Sequence, residues 1–223
     1  MGDAGEAALK RLDELTRRLR RDCPWDRAQD ARSIVSHTVE EAYELADAAY
    51  RDDDAKLLDE LGDVLFQVHF LALLLEERGA GDLTAVAGHV TEKLIRRHPH
   101  VFGDVQAQSP DAVRRNWDEI KRTTEGRGAG GLFGDVPENL PALSLAAKTQ
   151  RRAGGAPDGA DAIASVTQRA AALDSLPGPR ERFEAIGELL FAVVACARAL
   201  EIDAELALRQ ATAGFRKRVE SEP

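Results

Sequence analysis

The sequence predicts an all-α fold built as two tandem helical-bundle units. Apolar residues make up 43% of the chain but aromatic residues only 5%, and the alanine and leucine that dominate the apolar set favour helices over strands. Apolar residues recur three and four positions apart along most of the chain, whereas no segment sustains the alternation typical of a strand. A glycine-rich stretch separates two halves that share a short repeat, which indicates two related units.

Four helices joined by short connections are predicted in the first half of the chain. The first places its leucines on one face, and the third is capped by the acidic turn of residues 52–54. The fourth ends where Pro99 disfavours helical backbone in the residue before it. Short connections favour antiparallel neighbours. The predicted ranges are 4–21, 33–49, 55–78 and 83–98, with a break in the helical pattern at residues 22–26.

A fifth helix is predicted over residues 109–121, with serine at its cap and proline in its first turn. The glycine-rich segment of residues 126–137 is interpreted as a linker, because it lacks the preceding strand and the GK[ST] ending of a phosphate-binding loop. This linker separates a unit of residues 1–125 from a unit of residues 138–223. Four more helices are predicted in the second unit, at 141–153, 160–173, 180–200 and 204–220.

An internal repeat relates the two units. The sequence LGDVLF at 61–66 resembles IGELLF at 186–191, and the apolar runs that follow match in length. The acidic residues of the first copy are mostly lost from the second. In this alignment Glu60 matches Ala185, Asp63 matches Glu188, Glu40 and Glu41 match Gln168 and Arg169, and Glu44 matches Ala172. We therefore expect a catalytic first unit and a degenerate second unit that serves as its packing partner.

Charge and cysteine content limit the function classes. A formal net charge of −9 and an isoelectric point near 5.1 argue against a general binder of nucleic acid or anionic membrane. Cys23 and Cys196 belong to no paired motif and are interpreted as reduced thiols. The start of the chain lacks the apolar segment of a signal peptide, and the longest apolar run, 64–75, is too short to cross a bilayer. These features predict a soluble, cytoplasmic protein.

Two acidic pairs are the strongest chemical signal in the chain. Glu41 with Glu44 and Glu60 with Asp63 each have i,i+3 spacing, which places both carboxylates of a pair on one helix face. The second pair opens the most apolar helix, where carboxylates are costly unless their charge is compensated. A hard divalent cation, magnesium or alternatively manganese, would compensate it. A solvated acidic surface is the competing interpretation: it explains Asp52 to Asp54 and Asp59 well but Glu60 and Asp63 poorly, and spacing alone leaves both interpretations open.

Several ordered motifs then point to a family. EExxE at residues 40–44 is followed by ExxD at residues 60–63. Four further motifs are CPWD at 23–26, EKLIRRHPHVFG at 92–103, NWDEIK at 116–121, and LPAL at 140–143 with Ala147 and Lys148. Together they resemble the MazG nucleoside triphosphate pyrophosphohydrolases, in the full-length form with two repeats, and the resemblance covers nearly the whole chain.

The resemblance implies an all-α, magnesium-dependent enzyme that hydrolyses nucleoside triphosphates to nucleoside monophosphates and pyrophosphate. By matching position, Glu41, Glu44, Glu60 and Asp63 would hold the metal, with manganese as a substitute for magnesium. Glu40 would orient the attacking water or take its proton. Because the second repeat departs at these acidic positions, the activity is expected in the first unit.

Candidate substrate contacts follow the acidic motifs. Lys93, within the matched block, is expected to act in catalysis by holding phosphate, and Arg96 and Arg97 are further phosphate ligands. Cations matched to the dipole of a helix end are the competing interpretation for all three. Trp25 is a candidate for stacking on the base, against structural packing, and Trp117 is expected to anchor helices. The histidines predict no metal site, and His98 and His100 are interpreted as loop residues.

Three functions remain open at this point. The leading one is nucleotide-pool cleaning by a broad nucleoside triphosphate pyrophosphohydrolase, and a narrower enzyme for dCTP or dUTP is its rival. The third is a non-catalytic interaction protein that binds metal or nucleotide through the same acids. Partners are expected to be the nucleotide substrate and a second copy in a homodimer, without nucleic acid or membrane, although the second unit is an alternative partner for the first.

Overall fold

The computed structural model describes residues 2–105, 109, 112–113, 116–117, 120, 131–134, 136–155 and 158–221. These residues form helices and connections and contribute no strand, so the predicted all-α class is confirmed. The chain divides into two compact units, unit 1 of Met1–Asp118 and unit 2 of Glu119–Pro223.

The described helices follow the predicted pattern closely. Unit 1 contains α1 (Asp3–Asp22), α2 (Pro24–Ala28), α3 (Ala31–Tyr50), α4 (Asp54–Glu77), α5 (Leu83–Arg97) and α6 (Pro99–Phe102). Unit 2 contains α7 (Ala142–Ala153), α8 (Gly159–Ala172), α9 (Pro179–Ala199) and α10 (Ala204–Ser221), with short 3-10 turns at Gly131–Phe133 and Leu173–Ser175.

Aspartates begin the helices that carry the acidic motifs. Asp30 accepts hydrogen bonds from the backbone N–H groups of Arg32 and Ser33, and the Ser33 hydroxyl accepts one from the Asp30 N–H. Asp53 caps α4 by accepting from Lys56 N–H, and Asp82 caps α5 in the same way. These contacts satisfy N–H groups that the first helical turn leaves without a partner, and each typically contributes about 1 kcal/mol.

The core of unit 1 lies around the second half of α4. Ile34 of α3 packs with Phe70 and Leu74, which are buried, and Phe66 joins them with its ring centroid 5.9 Å from that of Phe70. Helix α4 packs against both α3 and α1. Burial of these large side chains, each contributing roughly 1.5–3 kcal/mol, fixes α4 beside α3 and thereby positions the acidic first half of α4.

Two arginines of α1 bind the end of α4. Arg17 donates to both carboxylate oxygens of Glu76 at 2.9 and 2.6 Å, and Arg20 donates to both oxygens of Glu77 at 2.8 Å. Arg20 also donates to the carbonyls of Asp26 and Gln29, so the same guanidinium holds α2 in place. Bidentate pairs fix orientation as well as distance.

Unit 2 contains a polar connection between two of its helices. Helix α9 packs against α7 and α8, and Val194 is fully buried. The buried Gln150 side chain donates to the Phe191 carbonyl at 2.7 Å and accepts from Arg198 at 3.2 Å. Burial and the nearby charge of Arg151 lower the pKa of Arg198. The guanidinium is therefore held by neutral acceptors, the second being the Gly155 carbonyl.

Two local predictions were wrong. The break at residues 22–26 contains α2, and the loop at His98 to His100 runs into α6. Both short helices begin with a proline, whose fixed φ suits a first helical position and whose missing N–H is not needed there. Among the described residues, every helix is too short or too polar to cross a membrane.

Two other predictions fall largely outside the described residues. These are most of the 109–121 helix and most of the 126–137 linker. The boundaries 1–125 and 138–223 and the descent of unit 2 from a repeat therefore stay predictions.

Candidate metal centre

The acidic motifs face each other across α3 and α4. Helix α3 ends at Tyr50 and α4 begins at Asp54, so the chain turns back within three residues. Because the two helices then pack along one another, residues at similar distances from the turn become neighbours. The turn itself is tight, with Asp52 at φ 52, a backbone conformation that aspartate tolerates better than most residues.

Three predicted metal ligands converge. Glu41, Glu60 and Asp63, hereafter the acidic centre, each offer a carboxylate oxygen, and these oxygens lie within 4.8 Å of one another. Glu60 is only 2% exposed, Glu41 is half-buried and Asp63 is exposed. The centre therefore has one ligand anchored in the protein and one open to solvent.

One oxygen of the acidic centre is strongly under-satisfied. Glu60 Oε2 is buried and has no hydrogen-bond partner among the described residues. A buried carboxylate oxygen without a partner costs several kcal/mol, of the order of the full desolvation penalty of the group. An all-oxygen donor set of this kind is what magnesium and manganese prefer, so the residues present fit such a cation.

The electrostatics of Glu41 agree with that interpretation. Its pKa is raised, first by burial and then by the negative charge of Asp63 and the closeness of Glu60. Like charges at short range disfavour ionisation of all of them. A divalent cation among the three would reverse the sign of the local field and favour the ionised forms.

The fourth predicted ligand, Glu44, lies beside the acidic centre and contacts a lysine instead. Its Oε2 accepts from the Lys56 ammonium at 3.3 Å, and the same ammonium donates to Glu60 Oε1. This bond to Lys56 is the main reason why the pKa of Glu60 is lowered, and the two carboxylates together raise the pKa of Lys56. Lys56 thus joins α4 to α3 through both acidic motifs.

Sequence reasoning missed Lys56. The signal was present, because Lys56 lies four residues before Glu60 on α4 and is one of only two basic residues between Glu40 and Asp63. The i,i+4 spacing predicts an ion pair with Glu60. It does not predict that the same ammonium also reaches Glu44.

Glu40 and Trp25 lie at the outer side of this arrangement. The Glu40 carboxylate is exposed, is 3.8 Å from His37 Nδ1, and does not belong to the acidic centre. The Trp25 ring is half exposed, and its centroid is 5.8 Å from that of His37. Trp25 therefore contacts α3 at a residue that lies four positions, about one helical turn, before Glu41.

The predicted phosphate ligands lie together on α5. Lys93 and Arg97 are four residues apart and half-buried, whereas Arg96 is exposed. Helix α5 packs against α4 but supplies none of the converging carboxylates. Lys93, Arg96 and Arg97 therefore share the last two turns of one helix.

Trp117 lies beside the end of α5. Its ring centroid is 5.0 Å from that of His98, in an edge-to-face arrangement. Its Nε1 is buried and has no partner among the described residues. This contact places Trp117 beside the end of the helix that carries Lys93.

Comparison with known proteins decides the family. The model of the MazG nucleotide pyrophosphohydrolase domain matches residues 29–102, which include α3, α4 and α5. The nucleoside triphosphate pyrophosphohydrolase/pyrophosphatase MazG of Thermotoga maritima is 39% identical over 202 residues, covering 88% of this chain and 77% of that protein. The chain belongs to the MazG family. The family resemblance in the sequence is thereby confirmed.

Two further MazG relatives differ in how far the similarity extends. The nucleoside triphosphate pyrophosphohydrolase of Escherichia coli K12 is 35% identical over 223 residues, covering 94% of this chain and 85% of that protein. The nucleoside triphosphate pyrophosphohydrolase of Mycobacterium tuberculosis is 33% identical over 138 residues, covering 61% of this chain and 42% of that protein. The MazG domain match contains the acidic centre, Lys56 and Lys93, and it ends before unit 2.

Proposed function

We propose that this MazG protein hydrolyses nucleoside triphosphates to nucleoside monophosphates and pyrophosphate, with magnesium held at the acidic centre. The observation that carries the proposal is the convergence of Glu41, Glu60 and Asp63 around a buried, unpartnered oxygen of Glu60. Its setting is a domain whose relatives are named nucleoside triphosphate pyrophosphohydrolases. The role would be the removal of surplus or non-standard nucleotides in the cytoplasm.

The metal ligands are proposed to be the three residues of the acidic centre and Glu44. Glu60 provides the rigid ligand, since it is buried and held by the packing of α4. Glu41 and Asp63 approach it from α3 and from the next turn of α4. A bound divalent cation, magnesium or manganese, would neutralise triphosphate charge and make water more acidic.

The proton from the attacking water is assigned to Glu40. Its carboxylate is exposed, which leaves it free to reach a water molecule on the open side of the centre. Its neighbour in sequence, Glu41, belongs to the acidic centre, so the two acids sit close together on α3 while pointing in different directions. A carboxylate in that position acts as a general base.

Substrate binding is assigned to α5 and α2. Lys93 is proposed to hold a phosphate oxygen during catalysis, with Arg96 and Arg97 as further phosphate ligands. These assignments are supported by the shared position of the three residues on α5, which packs against the helix that carries Glu60. Trp25 is proposed to stack on the base, since its ring is half exposed and contacts His37, which lies one helical turn from Glu41 on α3.

A homodimer is proposed as the working assembly. Helix α4 exposes an apolar stripe along one face, formed by Leu58, Leu61, Leu65 and Val68. Leu58 alone is 75% exposed. A stripe of this kind on a metal-bearing helix is covered most simply by the same stripe of a second copy. Sedimentation equilibrium of the full chain measures this state, and a monomer at micromolar concentration would contradict it.

The test of the activity is pyrophosphate release over a panel of ribo- and deoxyribonucleoside triphosphates with magnesium. The Glu60→Gln variant should lower turnover about 100-fold or more, because loss of a direct ligand exceeds the usual effect of losing its outer partners. Glu188→Gln, at the matching region of unit 2, is the control and should leave turnover within about twofold.

The substrate panel separates the remaining functions. Turnover spread over many bases supports the broad enzyme, and turnover confined to dCTP or dUTP supports the narrow one. No release with any nucleotide, from a folded protein loaded with magnesium or manganese, would sink the catalytic proposal.

A further inference from the structure

The ammonium of Lys56 lies between two predicted metal ligands from different helices. It donates to Glu60 Oε1 and to Glu44 Oε2, the latter at 3.3 Å. Glu60 is buried, whereas the Lys56 side chain is 47% exposed. A positive charge supplied by the chain therefore already occupies one side of a site whose carboxylates suit a divalent cation.

We propose that Lys56 is the counter-ion of the acidic residues in the metal-free protein, and that a divalent cation competes with it for Glu44 and Glu60. Lys56 is therefore a positioning residue that lowers the affinity for the cation while stabilising the fold without it. This inference rests on the metal site of the proposed function and goes beyond it.

The distribution of oxygens supports competition. Of the two carboxylate oxygens of Glu60, Lys56 holds Oε1, and Oε2 remains without a partner among the described residues. Glu41 and Asp63 converge with Glu60, whereas one oxygen of Glu44, Oε2, is held by the same ammonium. For Glu44 to offer that oxygen to a cation shared with the other three, its contact with Lys56 has to be given up.

The side chain of Lys56 can readily move away from the two carboxylates. Lysine is a compact point charge on a flexible four-carbon stem, so one rotation moves the ammonium into solvent without disturbing the helix. About half of this side chain is already in solvent. An ammonium that stays close to a divalent cation is repelled by it, and that repulsion is strong at a few ångströms in a partly buried site.

A fixed Lys56 would have the opposite effect. If the ammonium stays on Glu60 Oε1 after metal binding, it serves to aim Oε2 toward Glu41 and Asp63. Removing Lys56 would then leave Glu60 less well oriented and weaken cation binding. The sign of the change in metal affinity therefore distinguishes a competing counter-ion from a permanent support.

The experiment measures cation binding and thermal stability of the full chain without nucleotide. Calorimetric titration with Mn²⁺ and Mg²⁺ gives the dissociation constants, and a thermal melt with and without the cation gives stability. The variants are Lys56→Met, which removes charge and hydrogen bonds, and Lys56→Gln, which removes charge but keeps a donor. Lys10→Met is the matched control, since Lys10 forms an exposed i,i+4 contact with Glu14 at 4.0 Å on α1.

We expect both Lys56 variants to melt at lower temperature than the wild type in the absence of metal, because the carboxylates lose their counter-ion. We expect both to bind Mn²⁺ on the order of tenfold more tightly, since a competing unit charge a few ångströms away has been removed. Cation-induced stabilisation should grow accordingly. Lys10→Met should leave the dissociation constant unchanged.

Unchanged or weaker Mn²⁺ binding in both Lys56 variants, with wild-type binding intact, would overturn the inference alone and leave the metal site standing. If Lys56→Met does not fold, Lys56→Gln decides the question by the same criterion. A wild-type protein that binds neither cation would overturn the metal site, and the inference would fall with it.

Discussion

The α3–α4 pair of unit 1 and the α8–α9 pair of unit 2 carry similar apolar patterns around opposite arrangements of charge. In unit 1, Glu41 and Asp63 converge with the buried Glu60. At the aligned positions of unit 2, Arg169 donates to Glu188 at 3.2 Å, and an alanine replaces the buried glutamate. In unit 1, a bound cation is proposed to supply the positive charge between these positions. In unit 2, the side chain of Arg169 supplies it.

The comparison indicates that the packing of the helix pair and its acidic residues are independent features. The large buried apolar residues of each helix pair lie beyond the acidic positions, as with Phe70 in unit 1 and Val194 in unit 2. The acids of unit 1 are therefore a cost that the fold tolerates. Lys56 reduces that cost, and the residue aligned with it in unit 2 is Glu181, on a helix where no acidic centre needs a counter-ion.

Transferring the charge of unit 2 into unit 1 should have the largest effect. Glu41→Arg places a guanidinium opposite Asp63, as Arg169 is placed opposite Glu188. We expect turnover to fall about 100-fold or more and the cation-induced rise in melting temperature to disappear. The reason is that a negatively charged metal ligand is replaced by a positive charge, which repels the cation. Pyrophosphate release and a thermal melt with Mn²⁺ measure the two effects.

The reciprocal change in unit 2 is the control for that transfer. Arg169→Glu creates two facing carboxylates without a buried third ligand, since Ala185 has no oxygen to offer. Turnover should stay within about twofold of the wild type. Retained cation stabilisation in Glu41→Arg would show that the cation binds elsewhere.

An intermediate effect is expected from acid, and it should differ between the units. Hydrogen bonds from Arg17 and Arg20 lower the pKa of Glu76 and Glu77 from the ordinary 4.5. Their contribution to stability is complete above that value and is lost as the pH falls through the lower folded values. In unit 2, Arg198 is bound instead by the neutral Gln150, whose side chain gains no proton in this pH range.

The Arg20→Gln variant makes that effect measurable. At pH 6 it should be less stable than the wild type by at least about 1 kcal/mol, because it loses the partly exposed ion pair with Glu77 and also the hydrogen bonds to the carbonyls of Asp26 and Gln29. The difference should shrink as the pH falls through the lowered pKa of Glu77, because below it Glu77 is protonated in both proteins. Urea unfolding followed by tryptophan fluorescence reports on unit 1, since Trp25 and Trp117 are the two tryptophans of the chain. A stability difference that stays constant with pH would contradict the assignment of this effect to the ion pair between Arg20 and Glu77.

The smallest effect is expected at the ion pair of unit 2. Arg169→Ala should change the free energy of unfolding by less than about 1 kcal/mol, because Arg169 and Glu188 are 44% and 65% exposed and water screens their attraction. Urea unfolding followed by circular dichroism measures it. A loss of several kcal/mol would mean that this pair is essential to the packing of α8 and α9.

The sequence was most informative where a pattern repeats. Helical periodicity and aspartate caps placed α3 and α4 within two residues of their observed ends, and i,i+3 spacing identified the three acids that converge. The short helix α2 was missed because a proline in a five-residue segment signals a start as readily as a break.

Side-chain partners across two helices were harder to predict. Lys56 has two acidic neighbours within reach, and the choice between one partner and both depends on the distance between α3 and α4. The contact of Trp25 with His37 depends in the same way on how α2 is held by Arg20. Distances of this kind follow from packing, which a linear pattern does not contain.

Helix α4 runs without interruption from its metal-facing carboxylates to the glutamates bound by α1. Glu60 and Glu76 are separated by 16 residues, or about 24 Å at 1.5 Å per residue. One inserted or deleted residue between them would rotate one end by about 100° relative to the other. Evolution can therefore exchange side chains within α4 far more readily than it can change the length of the helix between these two glutamates.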